Sequence, residues 1–127
     1  MKNKLNELNR IHNCDNPYQG DHKKVLCVCS AGLLRSPTAA VVLSAPPFNF
    51  NTRAAGLDES FALIPVDTVL LTWADEIVCM DKGQADRLRA MGFKKNVLVL
   101  DIEDSYGYRD PQLIKKITKI AKEHYLS

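Results

Sequence analysis

The chain has 127 residues, of which 46% are hydrophobic and 25% charged, with a formal net charge of +2. That is one domain's length with material for one core, and a balance too mild for the strongly basic face of a nucleic-acid-binding protein. The apolar runs are too short to span a bilayer, and the first residues lack the apolar stretch of a secretory signal, so a cytoplasmic protein without a membrane or nucleic-acid partner is expected.

Residues 1–22 are rich in Asn and Lys. Leu5, Leu8 and Ile11 fall at helical spacing, and a loop follows around Pro17 and Gly20. This segment reads as an N-terminal extension to a domain over 23–127. Lys24–Cys29 (KVLCVC) is a compact apolar run, the pattern of a buried strand. Ser36-Pro37 reads as a helix start, with Ser as N-cap and Pro at the first helical position. That helix runs through Ala39–Leu43 and stops before Pro46-Pro47. Phe50–Ala55 predicts a second strand closed by Gly56. Val66, Val69, Leu70 and Trp73 predict a helix over Val66–Ala74 with one buried face. Glu76–Met80 is a third strand, Asp81 to Met91 a helix ended by Gly92, and Val97–Leu100 a fourth strand. Asp110-Pro111 opens a last helix, striped by Leu113, Ile114, Ile117, Ile120 and Ala121.

Strands alternating with helices predict a parallel sheet covered on both faces. The expected fold is α/β: a three-layer α/β/α sandwich with a central four-stranded parallel sheet, doubly wound in the flavodoxin-like manner. Such sheets bind ligands at the carboxyl ends of their strands, where helix N-termini also gather.

The four cysteines, Cys14, Cys27, Cys29 and Cys79, form no disulfide framework and no zinc spacing. Cys29 differs from the others in its surroundings. It ends the first strand, and the loop Ser30-Ala31-Gly32-Leu33-Leu34 follows, then Arg35 and Ser36 at the helix start. A short loop of small and flexible residues can turn several backbone N–H groups inward as an anion nest. The helix N-terminus adds partial positive charge there, and Arg35 adds a planar fork of donors suited to two phosphate oxygens. Gly32 permits a left-handed backbone in the tight part of the loop. That field favours a thiolate at Cys29, with the Ser36 hydroxyl within reach as its donor. The phosphate site then comprises Ser30, Ala31, Gly32, Leu33, Leu34, Arg35 and Ser36. Attack by Cys29 on phosphorus gives a cysteinyl phosphate, with the loop amides and Arg35 stabilising the equatorial oxygens. A C-x5-R pattern alone arises by chance. Its position between a buried strand and a Ser-Pro helix start gives it weight.

VLCVCSAGLLRSPTAA resembles the active-site signature of the low-molecular-weight protein tyrosine phosphatases. Thr52–Gly56 is similar to their Ser-Ala-Gly segment, and Trp73–Met80 to their third-strand entry. The resemblance spans about residues 24–125 and is nearest to a short bacterial and phage branch of predicted tyrosine phosphatases. It implies hydrolysis of phosphotyrosine-like monoesters, on a phosphorylated protein or a small metabolite, with no metal and no cofactor. Three departures stand out. Ala31-Gly32 replaces a Gly-Asn pair whose Asn braces the loop, Leu34 replaces a second loop cysteine, and the Gly56–Val66 segment is shorter than in typical members.

A leaving alkoxide or phenoxide needs a proton, and the phosphoenzyme then needs a base for water; one carboxyl can serve both steps. The segment Asp101–Pro111 follows the last strand. By the resemblance, Asp104-Ser105-Tyr106 matches an Asp-Pro-Tyr triplet with Ser in place of Pro, which makes Asp104 the general acid and Asp101 the alternative. Tyr106 and Tyr108 are placed to flank an aromatic substrate ring. Asp110 reads instead as a helix cap. Cys27, one pleat behind Cys29, and Cys79 read as core, Cys14 as passive, His12, His22 and His124 as surface residues, and Trp73 as part of a buried stripe. Other readings are an arsenate-reductase-like oxyanion enzyme, for which Cys79 is the only downstream thiol, and a phosphate- or phosphoprotein-binding module without catalysis. A sugar-phosphotransfer domain also uses a strand-end cysteine, but there Arg35 is not expected.

Overall fold

A computed structural model of the chain describes residues 23–30, 35–58, 64–102 and 110–126. Four strands and four helices alternate: β1 (Lys24–Cys29), α1 (Arg35–Ser44), β2 (Asn51–Gly56), α2 (Thr68–Trp73), β3 (Glu76–Cys79), α3 (Lys82–Ala90), β4 (Asn96–Val99) and α4 (Pro111–Tyr125). The strands form one sheet in the order β2-β1-β3-β4, and every neighbouring pair is parallel. The expected three-layer α/β/α architecture is the one observed.

The order follows from how crossovers close. From β1 the chain steps to one side to make β2, then passes back over β1 to lay down β3 and β4 on the other. Right-handed crossovers in opposite directions place their helices on opposite faces. One apolar cluster accordingly joins Ala39 and Leu43 of α1 and Leu113, Ile117 and Ala121 of α4 to Val25, Cys27 and Cys29 of β1. The other joins Leu70, Leu71 and Trp73 of α2 and Leu88 of α3 to Leu26 and Val28. Alternation along β1 thus feeds two cores at once. Val25, Leu26, Val28, Ile77 and Val78 have no exposed surface, and each side chain so buried contributes about 1.5–3 kcal/mol before entropy is counted.

Local chemistry sets the element ends. Asp81 caps α3, its Oδ1 accepting from the Gln84 amide at 2.8 Å. At the other end of α3 the Gly92 amide donates to the Arg89 carbonyl and the Phe93 amide to the Leu88 carbonyl. With Gly92 at φ 99°, this is a Schellman stop, and Leu88 and Phe93 bury together beneath it. Asp110 caps α4 through the Gln112 amide at 2.8 Å, with Pro111 in the first turn.

Most element ends lie within one residue of expectation, and two helix starts differ by two. The helix expected over Val66–Ala74 begins only at Thr68, because Asp67 caps it by accepting from the Leu70 amide at 2.9 Å. Val66 instead lies beside the end of β2, its amide donating to the Gly56 carbonyl next to a Gly56–Pro65 bridge. Ser36, expected as the cap of α1, lies inside the helix, which starts at Arg35. Its hydroxyl is engaged elsewhere.

At the amino end of the sheet, Glu76 is 2% exposed. Its carboxylate accepts from the Tyr125 hydroxyl at 2.8 Å, with Lys23 Nζ and His124 Nε2 each at 3.4 Å. A buried charge is tolerated when it is paired and hydrogen-bonded in this way. Burial, and then the bond to Glu76, push the Tyr125 phenol well above its ordinary range. His124 is exposed as expected, but it is tied to this carboxylate. The cluster locks the last turn of α4 to the strand that runs beside β1.

Candidate active site

β1 and β3 are adjacent, yet the chain leaves them toward opposite edges of the sheet. In a doubly wound sheet a crevice opens at that switch point. Cys29 is the last residue of β1, and Met80 directly follows β3. The sequence-derived loop therefore starts where the topology provides a ligand site.

Cys29 is buried, at 3% exposure. Its thiol donates to Ser36 Oγ at 3.2 Å, and the Ser36 hydroxyl donates onward to the Ala55 carbonyl in β2 at 3.4 Å. When the thiol loses its proton, the same hydroxyl can turn and donate to sulfur. This explains why Ser36 does not cap its helix: with no exposed surface, it spends its hydroxyl on the thiol.

Arg35 begins α1 and is 4% exposed, its Nη1 donating to the Ile102 carbonyl at 2.7 Å. The guanidinium is thereby fixed across the carboxyl ends of the strands instead of extending into solvent. The acceptor is aimed by a local irregularity after β4. The Leu100 amide donates to the Cys79 carbonyl and the Ile102 amide to the Met80 carbonyl, so two residues on one side oppose one on the other. Asp101 takes up the extra residue at φ 58°, a left-handed conformation that Asp tolerates better than most. Bulges of this kind re-aim backbone groups beside ligand sites. Asp101 itself is exposed.

Ser30 is held from two sides. Its carbonyl accepts from the Asp58 amide at 2.7 Å, continuing the contact between β1 and β2. Its Oγ accepts from Gln84 Nε2 at 3.3 Å. Arg87, one turn further along α3, donates from Nη2 to the Leu57 carbonyl at 2.9 Å and closes the wall on the β2 side.

Of the residues singled out from sequence, Cys29, Ser30, Arg35 and Ser36 come together at this crevice. Ala31, Gly32, Leu33, Leu34, Asp104, Tyr106 and Tyr108 lie outside the described residues, as do Cys14, His12 and His22. Asp110 is the helix cap it was read to be. Cys27 is fully buried on the same face as Cys29, and burial, followed by the neighbouring Cys29, pushes its thiol far up. Cys79 is also core. Burial and the Asp81 carboxylate raise it to about 11, against a hydrogen bond to the Asp81 backbone that acts the other way. Trp73 lies in the buried stripe of α2. Among the described residues no group of His, Cys, Asp and Glu could hold a metal ion, and no helix is long and apolar enough to cross a membrane. Gln84 and Ile102 were not legible as site residues. One reads as an ordinary polar position on a helix, and the other contributes only its backbone.

No protein-family model matches the sequence, and no curated protein matches it significantly. Solved structures do match. The chain is similar to the Erwinia amylovora tyrosine phosphatase AmsI, with a TM-score of 0.65 at 18% identity over 80% of this chain and 90% of that one. It is similar to Vibrio vulnificus Wzb, solved in complex with benzylphosphonate, with a TM-score of 0.66 at 20% identity over 81% and 97%. It is also similar to a thioredoxin-dependent arsenate reductase of Corynebacterium glutamicum, with a TM-score of 0.60 at 19% identity over 98% of this chain and 69% of that one. At such identities the likeness is one of fold: the chain has the fold of the low-molecular-weight protein tyrosine phosphatases, with its C-x5-R loop at the switch point of the sheet.

Proposed function

We propose that the chain is a cysteine-dependent phosphatase that hydrolyses phosphotyrosine-like monoesters through a phosphoenzyme on Cys29. The observation that carries this reading is the pairing of Cys29 Sγ with Ser36 Oγ at 3.2 Å beside the buried Arg35. A structural cysteine at a strand end needs neither a hydroxyl aimed at its sulfur nor a buried arginine opening the next helix.

In the proposed reaction the Cys29 thiolate attacks phosphorus as the ester P–O bond breaks. The Asp104 carboxyl gives its proton to the leaving oxygen. Water then attacks the phosphocysteine while the Asp104 carboxylate takes a proton from it. The S–P bond breaks, inorganic phosphate leaves, and the thiolate is regenerated. Arg35 and the loop amides carry the charge on the equatorial oxygens throughout. Asp104 is assigned by resemblance and by its place two residues after Ile102, the acceptor of the Arg35 bond. General acid catalysis of this kind contributes about 10²–10⁴-fold. A phosphorylated protein or small phosphate monoester is the proposed partner, and the cytoplasm the proposed location.

Hydrolysis of p-nitrophenyl phosphate by wild type, Cys29→Ser and Asp104→Asn tests the proposal. Cys29→Ser is expected to abolish turnover. Asp104→Asn is expected to slow it by at least 100-fold while still binding inorganic phosphate. Full activity in Cys29→Ser would end the mechanism, and tight phosphate binding with no turnover of any monoester would favour the binding-module reading. Arsenate reduction needs a further nucleophilic thiol, and the burial that raises Cys79 disfavours it in that role.

A further inference from the structure

Ser30 and Arg35 are joined by a hydrogen-bonded relay that runs through Gln84, Met80 and Ile102. Ser30 Oγ, at the first loop residue, accepts from Gln84 Nε2 at 3.3 Å. Gln84 Oε1 accepts from the Met80 amide at 2.7 Å. The Met80 carbonyl accepts from the Ile102 amide at 2.9 Å, and the Ile102 carbonyl accepts from Arg35 Nη1 at 2.7 Å. Three of these four links use backbone groups of Met80, just past β3, or of the segment after β4, which the sheet already fixes. Gln84 is the only side chain bridging the β3–α3 turn to Ser30 in this relay. It is 4% exposed, and a primary amide is the group that can accept from Met80 and donate to Ser30 at once.

We propose that Gln84 is a positioning residue for the phosphate site. It fixes Ser30 against the end of β3 and, through Met80 and Ile102, belongs to the same relay that holds the Arg35 guanidinium. A geometry loosened by even an ångström costs anion interactions that depend on preorganisation. This inference rests on the proposed oxyanion role of the loop, but not on turnover.

Binding of inorganic phosphate, followed by titration calorimetry, separates the two ideas because it needs no catalysis. Gln84→Leu keeps the bulk and removes both bonds. Gln84→Glu keeps the acceptor for Met80 and loses the donor to Ser30. Both are expected to weaken phosphate binding by roughly tenfold, the scale of one hydrogen bond to an oriented group. Ser30→Ala should weaken it similarly, and the double variant Gln84→Leu/Ser30→Ala no further than either single one. That non-additivity is what a shared path requires. The inference is overturned if Gln84→Leu leaves phosphate affinity unchanged, if it lowers only thermal stability, or if the Ser30 and Gln84 effects simply add. A wild type whose phosphate affinity depends on Gln84 but that turns over no monoester would preserve this inference and sink the phosphatase reading.

Discussion

Ser36→Ala tests the chemistry at Cys29 most directly, because the change removes one oxygen from a fully buried site. In the neutral state that oxygen accepts from the thiol at 3.2 Å and passes its own proton toward the Ala55 carbonyl at 3.4 Å. In the proposed reaction the sulfur is anionic when it attacks phosphorus and when the S–P bond breaks, and the hydroxyl can then reverse and donate to it. A hydrogen bond to an ionised group contributes about 1.5–3 kcal/mol. Giving up the long bond to Ala55 offsets about 0.5–1 kcal/mol of that, which leaves about 1–2 kcal/mol supporting the sulfur as it attacks and as it leaves phosphorus. The alanine variant should therefore show roughly 5- to 30-fold less reactive sulfur at neutral pH. The assay is the second-order rate of Cys29 alkylation by iodoacetamide, read on the Cys29 peptide by mass spectrometry, with kcat/KM on an aryl phosphate alongside. Both rates should fall together while the thermal midpoint moves by only a few degrees. An unchanged alkylation rate in a folded Ser36→Ala variant would refute the reasoning and return the hydroxyl to a purely structural role.

Arg35→Lys keeps the charge but loses the planar fork and the geometry of the bond to Ile102; phosphate binding measured by calorimetry should weaken at least tenfold, since a bidentate site does not accept a point charge as an equivalent. Asp110→Ala removes a cap whose Oδ1 holds the Gln112 amide, and should cost about 1 kcal/mol, or a thermal midpoint shift of roughly 4–8 °C. Aryl phosphate kcat in that variant should stay near wild type, and a loss as large as that of Asp104→Asn would move the general acid to Asp110. Stability should also fall at alkaline pH. The unfolded Cys79 thiol releases its proton near the ordinary 9.0 while the folded one holds it to about 11, so this contribution is complete below the lower value and is lost as pH rises between the two. Denaturant midpoints from pH 8 to 11 should show the decline, with a shallower slope in Cys79→Ala. Tyr125→Phe removes the shortest bond to the buried Glu76 carboxylate and should destabilise by about 1.5–3 kcal/mol, measured by the same midpoints, without altering phosphate affinity.

Much of this layout was legible because local chemistry and global fold agree. KVLCVC could only be a buried strand, and both of its faces found a core. Asp110-Pro111 and Asp81 are caps that need no tertiary information, and Gly92 ends α3 for a reason contained in its own backbone. Cys29, Arg35 and their spacing were legible for the same reason: strand, loop and helix start are consecutive. Misplaced features were those where a side chain chose a distant partner. Ser36 before a proline has the chemistry of a cap, yet the nearest acceptors in space belong to Cys29 and Ala55. Asp67 was passed over because Val66 extends the apolar stripe by one residue beyond the true start. Gln84 and Ile102 enter the site through contacts 54 and 67 residues away along the chain, and no local pattern encodes those. Glu76 looks like a polar strand edge until Tyr125 and Lys23 arrive around it.

The Glu76 cluster also bears on how this unit can be rearranged. It gathers Lys23, immediately before β1, and Tyr125, the last residue of α4, onto one carboxylate. The six-residue strand β1 separates that pole from Cys29, about 20 Å of extended backbone. Polypeptide joined at either side would enter and leave through neighbouring doors on the wall farthest from the chemistry. A fold wired in this way can be spliced between other segments as a cassette, or fused at either flank to a targeting or tethering module, with the junction at the opposite pole from the crevice where phosphate would bind.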